Sequence, residues 1–324
     1  MRPADPARPF RDRSVLVTGA AGFIGSHLAE RLAWAGARVT AVDRLAAGTG
    51  ARRENLAAFE RQSRLLIGDL RDPDLADAAL ANAEVVFHLA GRTGHEGSMH
   101  DPMADLRDNV EATLALLEAW SGGDRSSRFV FASTRQVYGR TGPDPVSEDH
   151  PTVPTDVNGW NKLAAEGHFA AYHSAHDLQV TVVRPTNTYG PRMSVANGVL
   201  GAWLTTIADG EAFLVYGDGS LVRQVTYVDD VVDALLLCGL HAEGYRLYNL
   251  GGLESHSLRE IADALVELGA HYELVPCPDL TARIGVGDFL VDDRRIRREL
   301  GWAPRVDLRT GLERTLSMAK PGTR

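Results

Sequence analysis

Six short apolar runs mark the first half of the chain: SVLVTG, RVTAVD, RLLIGD, EVVFHLAG, RFVFAST and QVTVVRP. Their length and β-branched content predict strands, and their nearly continuous apolar character predicts a sheet covered on both faces. Between them, FIGSHLAERLAWAG, PDLADAALAN, DPMADLRDNVEATLALLEAWS and NKLAAEGHFAAYHSAH carry apolar residues at helical spacing. Strands alternating with helices predict an α/β fold with a Rossmann-type doubly wound parallel sheet. Beyond residue 185 the rhythm changes to shorter elements and turn-rich stretches such as YGPRM, YGDGS and NLGG. The expected organisation is a lobe over 1–185 built on that sheet and a smaller lobe over 186–324. DDVVDALLLCGL reads as a helix and YRLYNLGG as a strand, so segments near 225–250 are expected to return to the first lobe.

Composition narrows the function classes. A chain of 324 residues, 44% hydrophobic and 24% charged, suits a soluble protein of two lobes. The net charge of −9 argues against nucleic acid as a partner, because phosphate backbones are held by clustered Lys and Arg. The basic clusters RRENL and DDRRIRREL are interleaved with acids and read as solvated helix faces. Cys238 and Cys277 are too few and too isolated for a disulfide framework or zinc, so no metal site is expected. The N-terminal MRPADPARPFRDR lacks the apolar core of a signal peptide, and the longest apolar run, VVDALLLCGL, is too short to span a bilayer. A cytoplasmic chain with no membrane partner is expected.

Candidate chemistry starts at VLVTGAAGFIGSHLAERL, where Gly19, Gly22 and Gly25 join the first strand to the first helix. Glycines at this spacing allow a tight turn and bring backbone N–H groups at a helix N-terminus close to a pyrophosphate. The second strand ends in Asp43, where a carboxylate would accept hydrogen bonds from adenosine ribose hydroxyls. Asp43 would repel a 2′-phosphate and so favours NAD; the neighbouring Arg44 leaves NADP as the weaker alternative. GDLRD (68–72) and HLAG (88–91) fall at strand ends, on the side where an open α/β sheet binds ligands. His88 itself reads as a hydrogen-bonded core histidine.

Together with RDNVEATLALLEA, FVFASTRQVYG, NGWNKLAAE, RPTNTYGPRM, VYGDGSLVRQVTYVDDVVDALLL, YNLGG and LGWAPRVDLRTGL, these motifs make the chain resemble one superfamily along nearly its whole length. It is the extended short-chain dehydrogenase/reductases, specifically the NAD-dependent epimerase/dehydratase family that modifies nucleotide sugars. The resemblance implies that NAD is held by Gly19, Gly22, Phe23, Ile24, Gly25, Asp43, Arg44, Asp69, Leu70, Leu89, Ala90, Gly91, Asn109, Lys162 and Pro185. It implies that Thr134 hydrogen-bonds the reacting oxygen and that Lys162 holds the nicotinamide ribose. It places Asn187 near the sugar diphosphate, Tyr216 beside the base, Arg223 on the diphosphate and Arg283 as a second phosphate contact. Arginine suits such contacts because its planar fork pairs phosphate oxygens two at a time. The resemblance also implies a homodimer through helices around 102–121 and 159–175, although Leu106, Val110, Leu114 and Leu117 equally suit packing on their own sheet.

Two positions depart from the family. Asn158 stands where the family has its tyrosine base, four residues before Lys162. A carboxamide does not titrate near neutral pH, and a positioned acid–base group is typically worth ~10²–10⁴-fold in rate. In the stretch RTGHEGSMHDP, read as a loop, His95 is the first candidate for a substitute base, since an imidazole titrates near neutrality. Tyr138 has no such role in the family. Arg135 and Gln136 follow Thr134 where 4,6-dehydratases carry an Asp–Glu pair, which disfavours dehydration. The leading expectation is NAD-dependent epimerisation of a nucleotide-diphosphate sugar through a keto intermediate. The alternatives are a hexuronate decarboxylase of the same fold, a catalytically silent NAD and nucleotide-sugar binder, or a Tyr-to-Asn variant made to trap a ligand.

Overall fold

A computed structural model describes residues 5–123, 126–241 and 243–319. Residues 1–4 of the charged N-terminal segment and 320–324 of the expected C-terminal lobe lie outside the described residues. The strands in chain order are β1 (Ser14–Thr18), β2 (Arg38–Asp43), β3 (Ser63–Ile67), β4 (Val85–His88), β5 (Arg128–Ala132) and β6 (Val180–Pro185). They continue as β7 (Asn187–Tyr189), β8 (Phe213–Tyr216), β9 (Val222–Tyr227), β10 (Tyr245–Leu250), β11 (Ser255–Ser257) and β12 (Tyr272–Val275). The helices are α1 (Phe23–Trp34), α2 (Pro73–Leu80), α3 (His95–His100), α4 (Pro102–Leu106), α5 (Ala112–Gly122) and α6 (Val157–His176). They are followed by α7 (Gly198–Ala208), α8 (Val228–His241), α9 (Leu258–Glu267), α10 (Asp279–Ile284), α11 (Arg294–Leu300) and α12 (Leu308–Ala319).

Seven strands form one sheet in the order β10-β6-β5-β4-β1-β2-β3, all parallel. The strands read as unbroken apolar runs because both faces are covered. One face packs Leu28 and Leu32 of α1 with Leu235 of α8 against Val17, Phe87 and Val130. The other packs Leu116 and Leu117 of α5 and Phe169 of α6 against Leu16, Phe129 and Phe131. A buried ion pair fixes α6 to β6, with Arg184 Nε and Nη2 donating to the Glu166 carboxylate at 2.9 and 2.5 Å. β10 returns beside β6, so the sheet is completed by chain from beyond residue 186. The strand order reverses between β4 and β1, and a crevice opens outside the carboxyl ends of such neighbours. Two small sheets, β11-β9-β7 and β12-β8, are built from the chain beyond residue 186.

Two local features differ from the sequence reading. RTGHEGSMHDP is not all loop: residues His95–His100 form α3, largely exposed but with Ser98 buried and its hydroxyl donating to the His95 carbonyl at 2.7 Å. The long helix expected after it is α4 joined to α5 through a π-helical turn at Arg107–Glu111. Such turns add a residue to the helix face, and here the turn carries Asp108 and Asn109, both buried. Among the described residues no helix is long and apolar enough to cross a membrane.

Candidate active site

The glycine-rich turn sits where backbone approach is tightest. Gly19 has φ +69°, and a Cβ on it would meet the Leu89 and Ala90 backbone at 2.8 Å. A Cβ on Gly25 would lie 2.1 Å from the Gly19 carbonyl, so α1 packs against the turn only because Gly25 has none. Gly19, Gly22, Asp43, Arg44, Asp69, Leu70, Leu89, Ala90 and Gly91 line one cleft at the switch point. Phe23 and Gly25 are buried beneath it, with Ile24 half-buried, at the start of α1. Pro185 is half-buried at the end of β6. Gly68 of GDLRD lines the same cleft, as do Thr49, Ala51 and Asp108, which escaped the sequence reading because no motif around them marks these side chains as facing inward.

Asp43 is tied to its surroundings: Oδ2 accepts from the Ala21 N–H at 2.9 Å and Oδ1 from the Leu45 N–H at 2.8 Å. Burial pushes its carboxyl above the usual range, against those donors. Arg44 pairs with Asp108 and, at 3.5 Å, with Asp69, so its guanidinium is already held by carboxylates.

Farther along the cleft, a Cβ on Gly91 would lie 2.5 Å from Asn109 Oδ1 and 2.9 Å from Lys162 Nζ. Asn109 Oδ1 is buried without a partner, whereas its Nδ2 donates to Asp105 Oδ1 at 3.0 Å. An orphaned acceptor and an amine beside bare backbone fit a bound polyol such as a cofactor ribose. Lys162 is 5% exposed and donates to the Ala132 carbonyl at 3.2 Å. Burial draws its ammonium down to about 8, with Asp105 and Glu166 opposing. His88 is a core histidine: Nδ1 meets Thr18 Oγ1 at 2.8 Å, Nε2 meets Thr113 Oγ1 at 3.0 Å, and burial holds it neutral with a pKa of about 3.

Asn158, 2% exposed, directs both amide hydrogens inward, to the Arg92 carbonyl at 2.8 Å and to Asp105 Oδ2 at 2.9 Å. Asp105 is fully buried, and Asn161 Nδ2 donates to its Oδ1 at 2.8 Å. Asp105 and Asn161 were not legible as site residues, although Asp105 stands one helical turn before Asn109. Tyr138 is withdrawn from the cleft: it is 1% exposed and donates its hydroxyl to Asn249 Oδ1 at 2.7 Å. Burial pushes its phenol up.

His95 is held beside the start of α6. Its Nδ1 bonds Asp156 Oδ2, and its Nε2 meets Gln136 Nε2. Asp156 is the N-cap of α6, its Oδ1 accepting from the Gly159 N–H at 2.8 Å. Burial alone would raise the Asp156 carboxyl, but the bond from His95, its charge and the helix N–H groups outweigh it and leave the pKa lowered. A proton on Nδ1 facing Asp156 leaves Nε2 as the basic nitrogen. An Asp just before a helical pattern is an N-cap signature, which would have flagged Asp156 but not its partner.

Thr134 caps the turn after β5, its Oγ1 accepting from the Gln136 N–H at 3.2 Å. Asn187 Oδ1 accepts from Arg135 Nε at 3.0 Å. Arg223 is 9% exposed and donates to the carbonyls of Val222 at 2.8 Å and Gly287 at 2.5 Å. Tyr216 is 39% exposed at the end of β8. Arg283 is exposed on α10, and its carbonyl accepts from Arg140 Nη2 at 2.6 Å.

Fold and cleft together define a dinucleotide-binding α/β enzyme of the short-chain dehydrogenase/reductase type. The chain belongs to the NAD dependent epimerase/dehydratase family, whose model matches residues 15–251. It is 35% identical over 308 residues to a UDP-glucose 4-epimerase of Mycolicibacterium smegmatis, covering 93% of this chain and 96% of that one. It is 35% identical over 312 residues to a dTDP-glucose 4,6-dehydratase of Streptomyces griseus, covering 94% and 93%. Its structure resembles that of a dTDP-glucose 4,6-dehydratase from Streptomyces venezuelae solved with NAD and TYD bound. The TM-score is 0.86 at 29% identity, over 94% of this chain and 96% of that one.

Proposed function

We propose that this protein epimerises a nucleotide-diphosphate sugar through a transient keto intermediate, with His95 moving the proton in place of the family's tyrosine. The observation that carries this reading is the His95–Asp156 pair beside Gln136, two residues from Thr134. NAD, when bound, supplies the hydride acceptor and donor. Asp156 fixes the ring so that Nε2 presents its lone pair. A sugar hydroxyl that displaces Gln136 from Nε2 gives up its proton there, and the same nitrogen returns it. Thr134 orients the reacting oxygen, and the Lys162 ammonium holds the ribose and favours negative charge developing nearby. Arg223 and Asn187 take the diphosphate, Tyr216 borders the base, and Arg283 is a peripheral phosphate contact. Asn158 takes no part in proton transfer, since both its amide hydrogens are directed inward. Arg135 and Gln136 do not supply an acid pair for dehydration.

In this reading residues 1–185, with the returning β10, hold the cofactor, and most of 186–324 holds the substrate. We also propose a cytoplasmic homodimer. Met103 on α4 and Trp160 on α6 are 53% and 52% exposed, on the helices by which family dimers pair.

Incubation with UDP- and dTDP-linked sugars, followed by NMR of the products, tests the reaction. An epimer is expected, and His95→Asn is expected to slow its formation by ~10²–10⁴-fold with NAD affinity kept. Bound sugar nucleotide with no epimer at any enzyme concentration would identify a silent binder. Undiminished turnover in His95→Asn would remove His95 from the mechanism.

A further inference from the structure

Arg135 is a buried cation with an unfilled donor. It is 7% exposed, Nε is taken by Asn187 at 3.0 Å, and Nη1 is buried without a partner. Its guanidinium carbon lies 5.0 Å from the centre of the Phe289 ring. Phe289 in turn bridges by backbone to Arg223, so one phenylalanine joins the two arginines. Among the described residues neither guanidinium has a carboxylate at ion-pair distance. Asp156 acts on Arg135 only through space and is itself bound to His95 and to the N-terminus of α6. Asp288 acts on Arg223 in the same way and accepts from the Val222 N–H at 2.8 Å. Burial first, and then the neighbouring Arg223, draw the Arg135 pKa down to about 9, with Asp156 opposing.

Two desolvated guanidinium groups near one another are costly unless an anion joins them. One diphosphate, taken by Arg223, accounts for one of them. Arg135 joins Asn187, held by its Nε at 3.0 Å, to the opposite end of the site, where its chain neighbours are Thr134 and Gln136 and Gln136 touches His95. That is the end where the sugar reacts in the function proposed above, and the present inference rests on that reading. A neutral sugar would offer Nη1 only uncharged hydroxyl acceptors and leave the buried charge uncompensated. A carboxylate would match the planar fork with two parallel charge-assisted bonds. We infer that Arg135 is a second anion subsite, built for a carboxylate on the sugar, so that the substrate is a nucleotide-diphosphate uronate.

Titration calorimetry of the NAD-loaded protein with UDP- and dTDP-linked glucose and glucuronate, and with UDP and dTDP alone, tests this. The glucuronate form is expected to bind about ten- to a hundredfold more tightly than the glucose form, as a charge-assisted bond to a buried cation requires. Arg135→Met is expected to bring that ratio to about one, and Arg135→Lys, which keeps the charge, to retain part of it. The NAD affinity of each variant shows that it is folded. Equal affinities in the unmodified protein would overturn the inference. So would an Arg135→Met variant that weakens glucose, glucuronate and bare nucleotide alike, which would make Arg135 a diphosphate ligand. Epimerisation of a neutral sugar with no preference for the acid removes this inference and leaves the proposed reaction standing. Failure of every sugar nucleotide to bind removes both.

Discussion

Asn158 Nδ2 donates to Asp105 Oδ2 at 2.9 Å, and the two residues come from helices 53 positions apart in the chain. Asn161 and Asn109 donate to the other oxygen of the same carboxylate, at 2.8 and 3.0 Å. The cluster holds the Asn158 side chain in place. It also explains how an acid–base position is given up without leaving a buried polar group unsatisfied.

Asn158→Tyr is therefore expected to destabilise the protein, not to activate it. The change removes two hydrogen bonds, one of them to a buried carboxylate, and inserts a ring into filled space. A loss of about 2 kcal/mol or more is expected in urea unfolding, with no gain in turnover. A variant as stable as the parent and more active would show that position 158 is an empty catalytic slot.

Asp156→Asn keeps the cap on α6 but removes the charge that orients His95. Turnover is expected to fall at least ~10²-fold, with KM changed far less. The native Asp156 pKa lies below its ordinary value of 3.8, so its stabilising effect is complete above that value and is lost as pH falls below it. The stability difference between parent and variant should be full above that value and shrink as pH falls through the lower window. Unchanged kcat would make Asp156 a helix cap and nothing more.

Lys162 has a folded-state pKa of about 8 against an ordinary 10.5. Between those values the unfolded chain binds more protons than the native one, so this residue makes stability rise with pH across that window. Cofactor affinity should move the opposite way, falling as pH passes about 8, because the neutral amine loses its charge. Fluorescence titration with NAD at pH values either side of 8 measures this, and Lys162→Met should flatten the profile.

NAD is expected to bind at least about tenfold more tightly than NADP. Arg44 is already paired with Asp69 and Asp108, so a 2′-phosphate would meet Asp43 with no free cation to offset it. Calorimetry with the two cofactors decides the matter, and equal affinity would mean that Arg44 leaves its partners.

Trp160→Glu is expected to convert a dimer to a monomer in light scattering, because it puts a charge on an exposed aromatic suited to a helix-pair interface. A parent protein that is already monomeric at micromolar concentration would contradict the homodimer.

The residues themselves determined the parallel sheet, the glycine turn and the cofactor cleft. These depend on local relations: an apolar run of strand length, glycines within one turn, and an acid at the next strand's end. Asn158 and Lys162 were likewise legible as a pair because they stand one helical turn apart on α6. What sequence could not supply was what each polar side chain meets. His95 reaches Asp156 across 61 positions and Asn158 reaches Asp105 across 53. Arg135 and Arg223 both meet Phe289, more than 60 positions away from either. Such contacts are set by how helices dock on the sheet. Docking follows from packing summed over the whole core, and no short stretch of chain encodes it. The tertiary structure therefore decided the two questions the motifs left open. It gave Asn158 a structural partner, and it turned an apparent loop into the helix that presents His95.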